Sequence, residues 1–255
     1  MALRHRLGPL LMGMSLSTAA LSVSASQPEP DPERLAERLM QNETGGVREQ
    51  LAWWSPHEPF PSLGIGHFIW IPAGVSVPFE AQFPQWVRFA VEHGERVPRW
   101  LQAERAPWSS REAFYADPRR AQLLDWLERT RSLQARFVMT RFQTRWRQAC
   151  AAQPDCAVLD QRVKTLWQQP GGAYALLDYV NFKGLGDNAK ARYAGQGWGL
   201  IQVLRAMPSD RVSVPAFVAA AHKVLQRRIA HAPRDESRWW PGWKKRLDRY
   251  VEEAE

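Results

Sequence analysis

Ser62-Leu63-Gly64-Ile65-Gly66-His67-Phe68-Ile69-Trp70 is the one stretch of this chain that reads as sheet, and its reading decides the fold class. Leu63, Ile65 and Ile69 fall on one phase of a two-residue alternation, which predicts a short strand or hairpin arm ended by Pro72 and Gly74. The two glycines remove side chains, so the segment either admits the close approach of a ligand or backbone, or makes a tight turn. Outside it the periodicity is helical. Asp31-Pro32 offers a capping side chain followed by proline at the first helical position, and predicts a helix to about residue 42 or 43. Phe83, Trp86, Val87 and Ala90 make a helical stripe within residues 79–94, and Asp117-Pro118 begins a long helix through Leu123, Leu127, Phe137 and Val138 toward Trp146. Further helices are expected at about 160–168, 172–183, 196–207 and 215–230, with a last one after Trp243. The fold class expected is mainly α (α+β), with one small β element and no internal repeats.

The chain has 255 residues, 45% of them hydrophobic and 13 of them Trp, enough apolar material for a sizeable core, which excludes a disordered or collagen-like chain. Arg4-His5-Arg6 precede an apolar run from Leu7 to Val23, and Val23-Ser24-Ala25 places small residues where a signal peptidase accepts them. Residues 1–25 therefore read as a signal peptide, 26–30 as a polar leader and 31–255 as a single domain, in a periplasmic or secreted protein. The formal charge is +8, and loss of Arg4 and Arg6 leaves 32 basic against 26 acidic side chains, +6. Outside the cytosol that charge points to peptidoglycan or another anionic envelope polymer and away from nucleic acid. No later stretch is apolar for long enough to span a membrane, and a monomer is expected. Cys150 and Cys156 flank the turn-forming Gln153-Pro154-Asp155 and read as a structural disulfide or as two buried thiols. Gly64-x-Gly66 and Gly184-x-Gly186 lack the context of a phosphate loop, and no third ligand joins His57 and His67, so neither a cofactor nor a metal is expected. Arg131, Arg136, Arg141, Arg145 and Arg147, like the later cluster Arg227, Arg228, Lys244, Lys245 and Arg246, read as solvated helix faces.

Leu35, Leu39 and Glu43 are spaced i, i+4, i+8, so a carboxylate ends an otherwise apolar helical stripe. Desolvation there, together with the negative end of the helix dipole, is expected to raise its pKa, as a general acid near neutrality requires. The alternative is a surface Glu where the helix frays. Glu43 followed by the Ser62–His67 segment resembles the phage-type lysozyme family, in which a helix ends in a catalytic Glu and a small hairpin carries a Thr-Ile-Gly-Ile-Gly-His-like strand. Residues 175–186, Ala-Leu-Leu-Asp-Tyr-Val-Asn-Phe-Lys-Gly-Leu-Gly, look like that family's helix ending in a Phe-Asn-x-Gly turn, with the Asn-to-Gly spacing one residue shorter. The chain also resembles a group of secreted bacterial proteins, without assigned activity, that pair a Gly-Ile-Gly-His-Phe-Ile-Trp strand with a Tyr-x-Gly-Gln-Gly-Trp-Gly-Leu segment, here residues 193–200.

The lysozyme resemblance implies two lobes joined by the long helix and a muramidase or lytic transglycosylase activity. Glu43 matches the general acid, Ser62 the hairpin Thr and His67 the hairpin His. A second carboxylate, if one acts, is sought in Glu58, in a Pro-rich turn before Ser62; a loop acid in solvent is its other reading. Without it, a single Glu alternating as acid and base suits a lytic transglycosylase. Asn181, Lys183, Tyr193, Gln196 and Trp198 offer amide, cationic and aromatic groups for sugar binding, although Trp198 could equally be a packing residue and His67 could hold the hairpin. Trp70 is a further aromatic candidate beside the cleft. The alternative from another class is a non-catalytic wall-binding or envelope-interaction protein on the same scaffold.

Overall fold

The computed structural model describes residues 30–252; the expected signal peptide and most of the leader lie outside the described residues. The first helix, α1, spans Pro32–Thr44. Its N-terminus is fixed as the sequence predicts: the Asp31 carboxylate accepts the Glu33 amide at 3.0 Å and Pro32 opens the first turn. Gly45, with φ +62°, closes the helix by returning its amide to the Gln41 carbonyl. The buried face of α1 is Leu35, Ala36, Leu39, Met40 and Thr44.

Three two-residue strands follow, β1 Ala52–Trp53, β2 Ser62–Leu63 and β3 Phe68–Ile69, in an antiparallel sheet of order β1-β2-β3. Ser62 pairs with Trp53 on one side and Ile69 on the other. Residues 64–67 are the turn between β2 and β3, and this resets the alternation: Leu63, Ile65 and Phe68 are buried, whereas Ile69, expected on the buried phase, is half exposed. Gly64 has φ +71°, and a Cβ there would lie 2.3 Å from Oε1 of Gln134, so the turn requires glycine at that place.

α2 is Phe83–Glu92, burying the expected stripe of Phe83, Trp86, Val87 and Ala90. α3, Arg111–Ala116, was not foreshadowed by the pattern; Ser110 caps it by accepting the Ala113 amide. The expected long helix is two, α4 Arg119–Arg129 and α5 Arg131–Ala151. The break falls at Thr130, whose buried hydroxyl donates to the Trp126 carbonyl at 2.7 Å. Gln134, fully buried, donates to the Leu127 carbonyl at 2.7 Å and accepts the Ile65 amide at 2.9 Å. Side chains thus satisfy backbone groups at the bend, and the same glutamine ties the β2–β3 turn to α5.

The second half is α6 Cys156–Trp167, α7 Gly172–Lys183, α8 Leu200–Ala206, α9 Val214–His231 and α10 Trp240–Glu252. Cys150 at the end of α5 and Cys156 at the start of α6 form a disulfide across the expected turn, their Cα atoms 5.0 Å apart. The molecule is mainly helical with one small antiparallel sheet, as the sequence leads one to expect. Buried apolar residues form one continuous cluster from Leu35 in α1 to Tyr250 in α10, with α5 contributing Phe137, Phe142 and Trp146. Trp70, expected beside a cleft, is instead fully buried, its ring 4.6 Å from Phe83 and its indole N–H bonded to the Ala103 carbonyl. Among the described residues no helix is long and apolar enough to cross a membrane.

Candidate active site

Glu43 sits in the last turn of α1, with 7% of its side chain exposed. Three elements distant in sequence meet on its carboxylate. Oε2 lies 2.9 Å from Nδ1 of His67, at the end of the β2–β3 turn. Oε1 accepts a hydrogen bond from the Asn181 amide of α7 at 2.9 Å and another from the Arg246 guanidinium of α10. The gathering of Glu43, His67 and Asn181 is the one the sequence pattern leads one to seek. His67 is held there with φ +46°, a left-handed conformation uncommon for a residue with a Cβ.

Arg246 was expected in solvent and is instead largely buried. It forks onto both oxygens of the fully buried Asp178 at 2.8 and 2.7 Å while reaching Glu43. The Tyr250 hydroxyl donates to the same Asp178. Asp178 and Asn181 stand three residues apart on α7 and so project from one face, one holding Arg246 and the other Glu43. Arg246 also lies over the Phe182 ring, 4.7 Å from its centroid.

This arrangement reverses the expected electrostatics of Glu43. Burial pushes its pKa up, as foreseen, but the hydrogen bond from His67 and the charge of Arg246 outweigh burial and hold the carboxyl at about 2. Glu43 is therefore a stable carboxylate in this state. For Arg246, burial acts to lower the pKa, but Asp178 and Glu43 raise it overall, keeping the guanidinium charged.

The other candidates divide. Ser62 lies in the middle strand, half buried. Glu58 is exposed in the β1–β2 turn; its carbonyl accepts the Trp54 indole N–H, and its carboxylate has no bonded partner among the described residues. Lys183, Tyr193 and Trp198 belong to a second cluster. The Tyr193 hydroxyl donates to Glu236 at 3.0 Å, Glu236 pairs with Arg228 at 2.7 Å, and Arg228 lies 4.1 Å from the Trp198 centroid. The Lys183 ammonium stacks over Trp243 at 3.5 Å, and burial followed by the nearby Arg228 charge lowers its pKa to about 7. Gln196 is exposed and meets Tyr193 through backbone hydrogen bonds.

A groove runs beside the Glu43 cluster. Its inner part, about 130 Å³, is walled by Gly66, Phe68, Gln82, Arg141, Arg145 and Asn181. An outer hollow of about 580 Å³ shares Gln82, Arg141 and Arg145 and extends past Phe79, Gln85 and Gln148. Asn181 thus touches both the groove and Glu43.

The residues that the sequence reading missed are Asp178, Arg246 and Tyr250. Two signals were available. Trp243, Arg246, Leu247 and Tyr250 follow helical spacing on one face, placing Arg246 within an apolar stripe. Asp178 is the one acid of α7 and follows the apolar run Ala175-Leu176-Leu177, which calls for a buried partner. No family model, curated protein or solved structure matches the chain.

Proposed function

We propose that this is an exported, lysozyme-like protein that binds peptidoglycan and cleaves its glycan strand, with Glu43 as the proton carrier. The observation that carries the reading is the convergence of a helix end, a hairpin His and a helix Asn on one desolvated carboxylate beside a groove. Glycosidic cleavage needs a group that protonates the leaving oxygen and then accepts a proton from water or from a sugar hydroxyl. In the free protein Glu43 is ionised, so its proton must be acquired when the groove fills. A glycan that takes over the hydrogen bond of His67 removes the largest influence that holds the pKa down, and leaves Arg246 alone to oppose burial. Glu43 Oε2 and His67 Nδ1 form the proton-transfer pair, and Asn181 positions the carboxylate from the groove side. A hydrolase and a lytic transglycosylase differ only in whether water or the sugar's own hydroxyl then attacks. Glu58 is exposed, and among the described residues no hydrogen bond or ion pair joins it to this cluster, which favours a single acting carboxyl.

A second reading, binding to the wall without cleavage, is favoured by Arg246, which pairs with both Glu43 and Asp178 and engages the carboxylate that would have to donate a proton. Incubation of the mature protein and Glu43→Gln with sacculi, followed by mass spectrometry of the soluble fraction, separates the two. Reducing ends from the wild type mean hydrolysis, anhydro ends mean transglycosylation, and the variant should release neither. Binding without release from the wild type supports the second reading; the absence of both binding and release refutes the proposal.

A further inference from the structure

The groove beside Glu43 carries two positive charges that the fold does not neutralise. Arg141 and Arg145 stand four residues apart on α5, one turn, and both line the inner and the outer parts of the groove. Both are half buried, yet neither guanidinium has a hydrogen-bond or salt-bridge partner among the described residues. Other half-buried arginines are paired with carboxylates, Arg48 with Asp125 and Glu128, Arg228 with Glu236, Arg246 with Asp178 and Glu43, or donate to backbone carbonyls, as Arg120 and Arg162 do. Two like charges close together in a partly desolvated wall cost stability, which a fold leaves standing where a ligand supplies the counter-charge. Burial, followed by the neighbouring charge of Arg145, lowers the Arg141 pKa to about 10, against a smaller opposing influence from Glu80 at the outer rim. Glu80 is exposed and is engaged by Gln85 at 3.3 Å, so it faces the pair without closing an ion pair.

We propose that Arg141 and Arg145 form a subsite for the carboxylate groups of an acidic glycan, gripping a peptide-bearing sugar while its glycosidic bond lies toward Asn181 and Glu43. The proposal rests on the peptidoglycan reading above and adds what that reading leaves open: the ligand is recognised by its acidic substituents as well as by its sugar backbone. The guanidinium fork matches a carboxylate in geometry and charge. Gln82 and Asn181 line the same inner groove and supply amide groups for sugar hydroxyl and acetamido oxygens. Phe79, 43% exposed, offers an apolar face at the outer rim.

The test measures equilibrium binding by calorimetry of two soluble probes, a disaccharide-tetrapeptide from peptidoglycan and the neutral chitotetraose, to the wild type, Arg141→Gln/Arg145→Gln and Arg141→Lys/Arg145→Lys. Neither arginine has a partner to lose, so neither variant should melt below the wild type, and the glutamine variant, relieved of the like-charge pair, should melt at or above it. The glutamine variant should bind the acidic probe at least about 10-fold more weakly and chitotetraose as the wild type does, with the lysine variant in between. Added salt should weaken the acidic probe's binding to the wild type more than to the glutamine variant. Equal affinity of wild type and glutamine variant for the acidic probe overturns the subsite, as does an equal loss for both probes. Release from sacculi reads the Glu43 chemistry separately. A wild type that discriminates by charge but releases nothing keeps the subsite and refutes cleavage; one that cleaves without discriminating keeps cleavage and refutes the subsite. Binding of neither probe overturns the subsite.

Discussion

Replacing Arg246 by Met keeps most of the side-chain volume and removes the charge that holds two buried carboxylates. Asp178 is fully buried and the Glu43 side chain is 7% exposed, so neither can recover its lost partner from bulk water. Removal of one member of a buried ion pair costs about 3–5 kcal/mol, because the remaining charge stays desolvated. Glu43 supplies an independent figure. Its carboxyl is held at about 2 in the folded protein against an ordinary value of 4.5. At 1.36 kcal/mol per pH unit, that depression is about 3 kcal/mol of stability, shared between His67 and Arg246.

The sign follows from linkage. A depressed carboxyl pKa stabilises the fold above the unfolded value and loses that contribution as pH falls from about 4.5 toward 2. In the Arg246→Met protein the His67 contact alone opposes burial at Glu43, so the carboxyl pKa rises and less stability is lost when acid protonates it. The stability difference between wild type and variant should therefore be greatest at neutral pH and shrink steadily on acidification. Urea denaturation of both proteins across that range measures it, provided the slopes of the transitions agree. A loss below about 1 kcal/mol at neutral pH, the size of a surface pair, would refute the reasoning, as would a difference independent of pH.

The other expectations concern separate parts of the fold. Gln134→Leu fills the same space but leaves the buried Ile65 amide without an acceptor and the Leu127 carbonyl without its best donor, so stability should drop by about 2–4 kcal/mol in urea unfolding. Hydrogen exchange should locate the damage at Ile65, and an unchanged Ile65 amide would contradict the role given to Gln134. The depressed pKa of Lys183 predicts that one lysine signal, absent in Lys183→Arg, titrates near 7 in NMR of the isotopically methylated protein. Its contribution to stability should rise with pH between about 7 and the ordinary 10.5, since there the unfolded chain binds the extra proton.

What the sequence made legible and what it hid divide along a physical line. Local signals held: the Asp31 cap, the Phe83–Ala90 stripe and the Cys150–Cys156 turn depend on neighbours in the chain, and each forms where the pattern puts it. The break at Thr130 was not legible, because it rests on side-chain bonds from Thr130 and Gln134 to the Trp126 and Leu127 carbonyls, and Gln134 is also tied to the hairpin amide of Ile65, 69 positions away. Trp70 was misplaced for a related reason. An aromatic residue after a glycine-rich strand suits a cleft or a core equally well, and only the arrival of Phe83, Trp108 and the Ala103 carbonyl decides for the core.

The charge on Glu43 is the sharpest instance, and it bears on function. Helical spacing correctly indicated a desolvated carboxylate, and desolvation by itself argues for a raised pKa and an acid ready to donate. That inference fails because the partners that lower the pKa arrive only with the fold: His67 from the hairpin and Arg246, 203 positions away. The free site is consequently poised in the wrong protonation state for an acid, with α10 supplying the charge that keeps it there. Catalysis on this scaffold then requires substrate binding to change the carboxylate's surroundings, whereas a binding protein requires no such change. The pH dependence of glycan binding discriminates between these directly. If the bound glycan raises the Glu43 pKa, binding draws a proton from solution between about 2 and the new value, and calorimetry in buffers of different ionisation enthalpy detects that uptake. A glycan that binds in the groove without proton uptake leaves Glu43 a structural carboxylate and assigns the site to recognition alone.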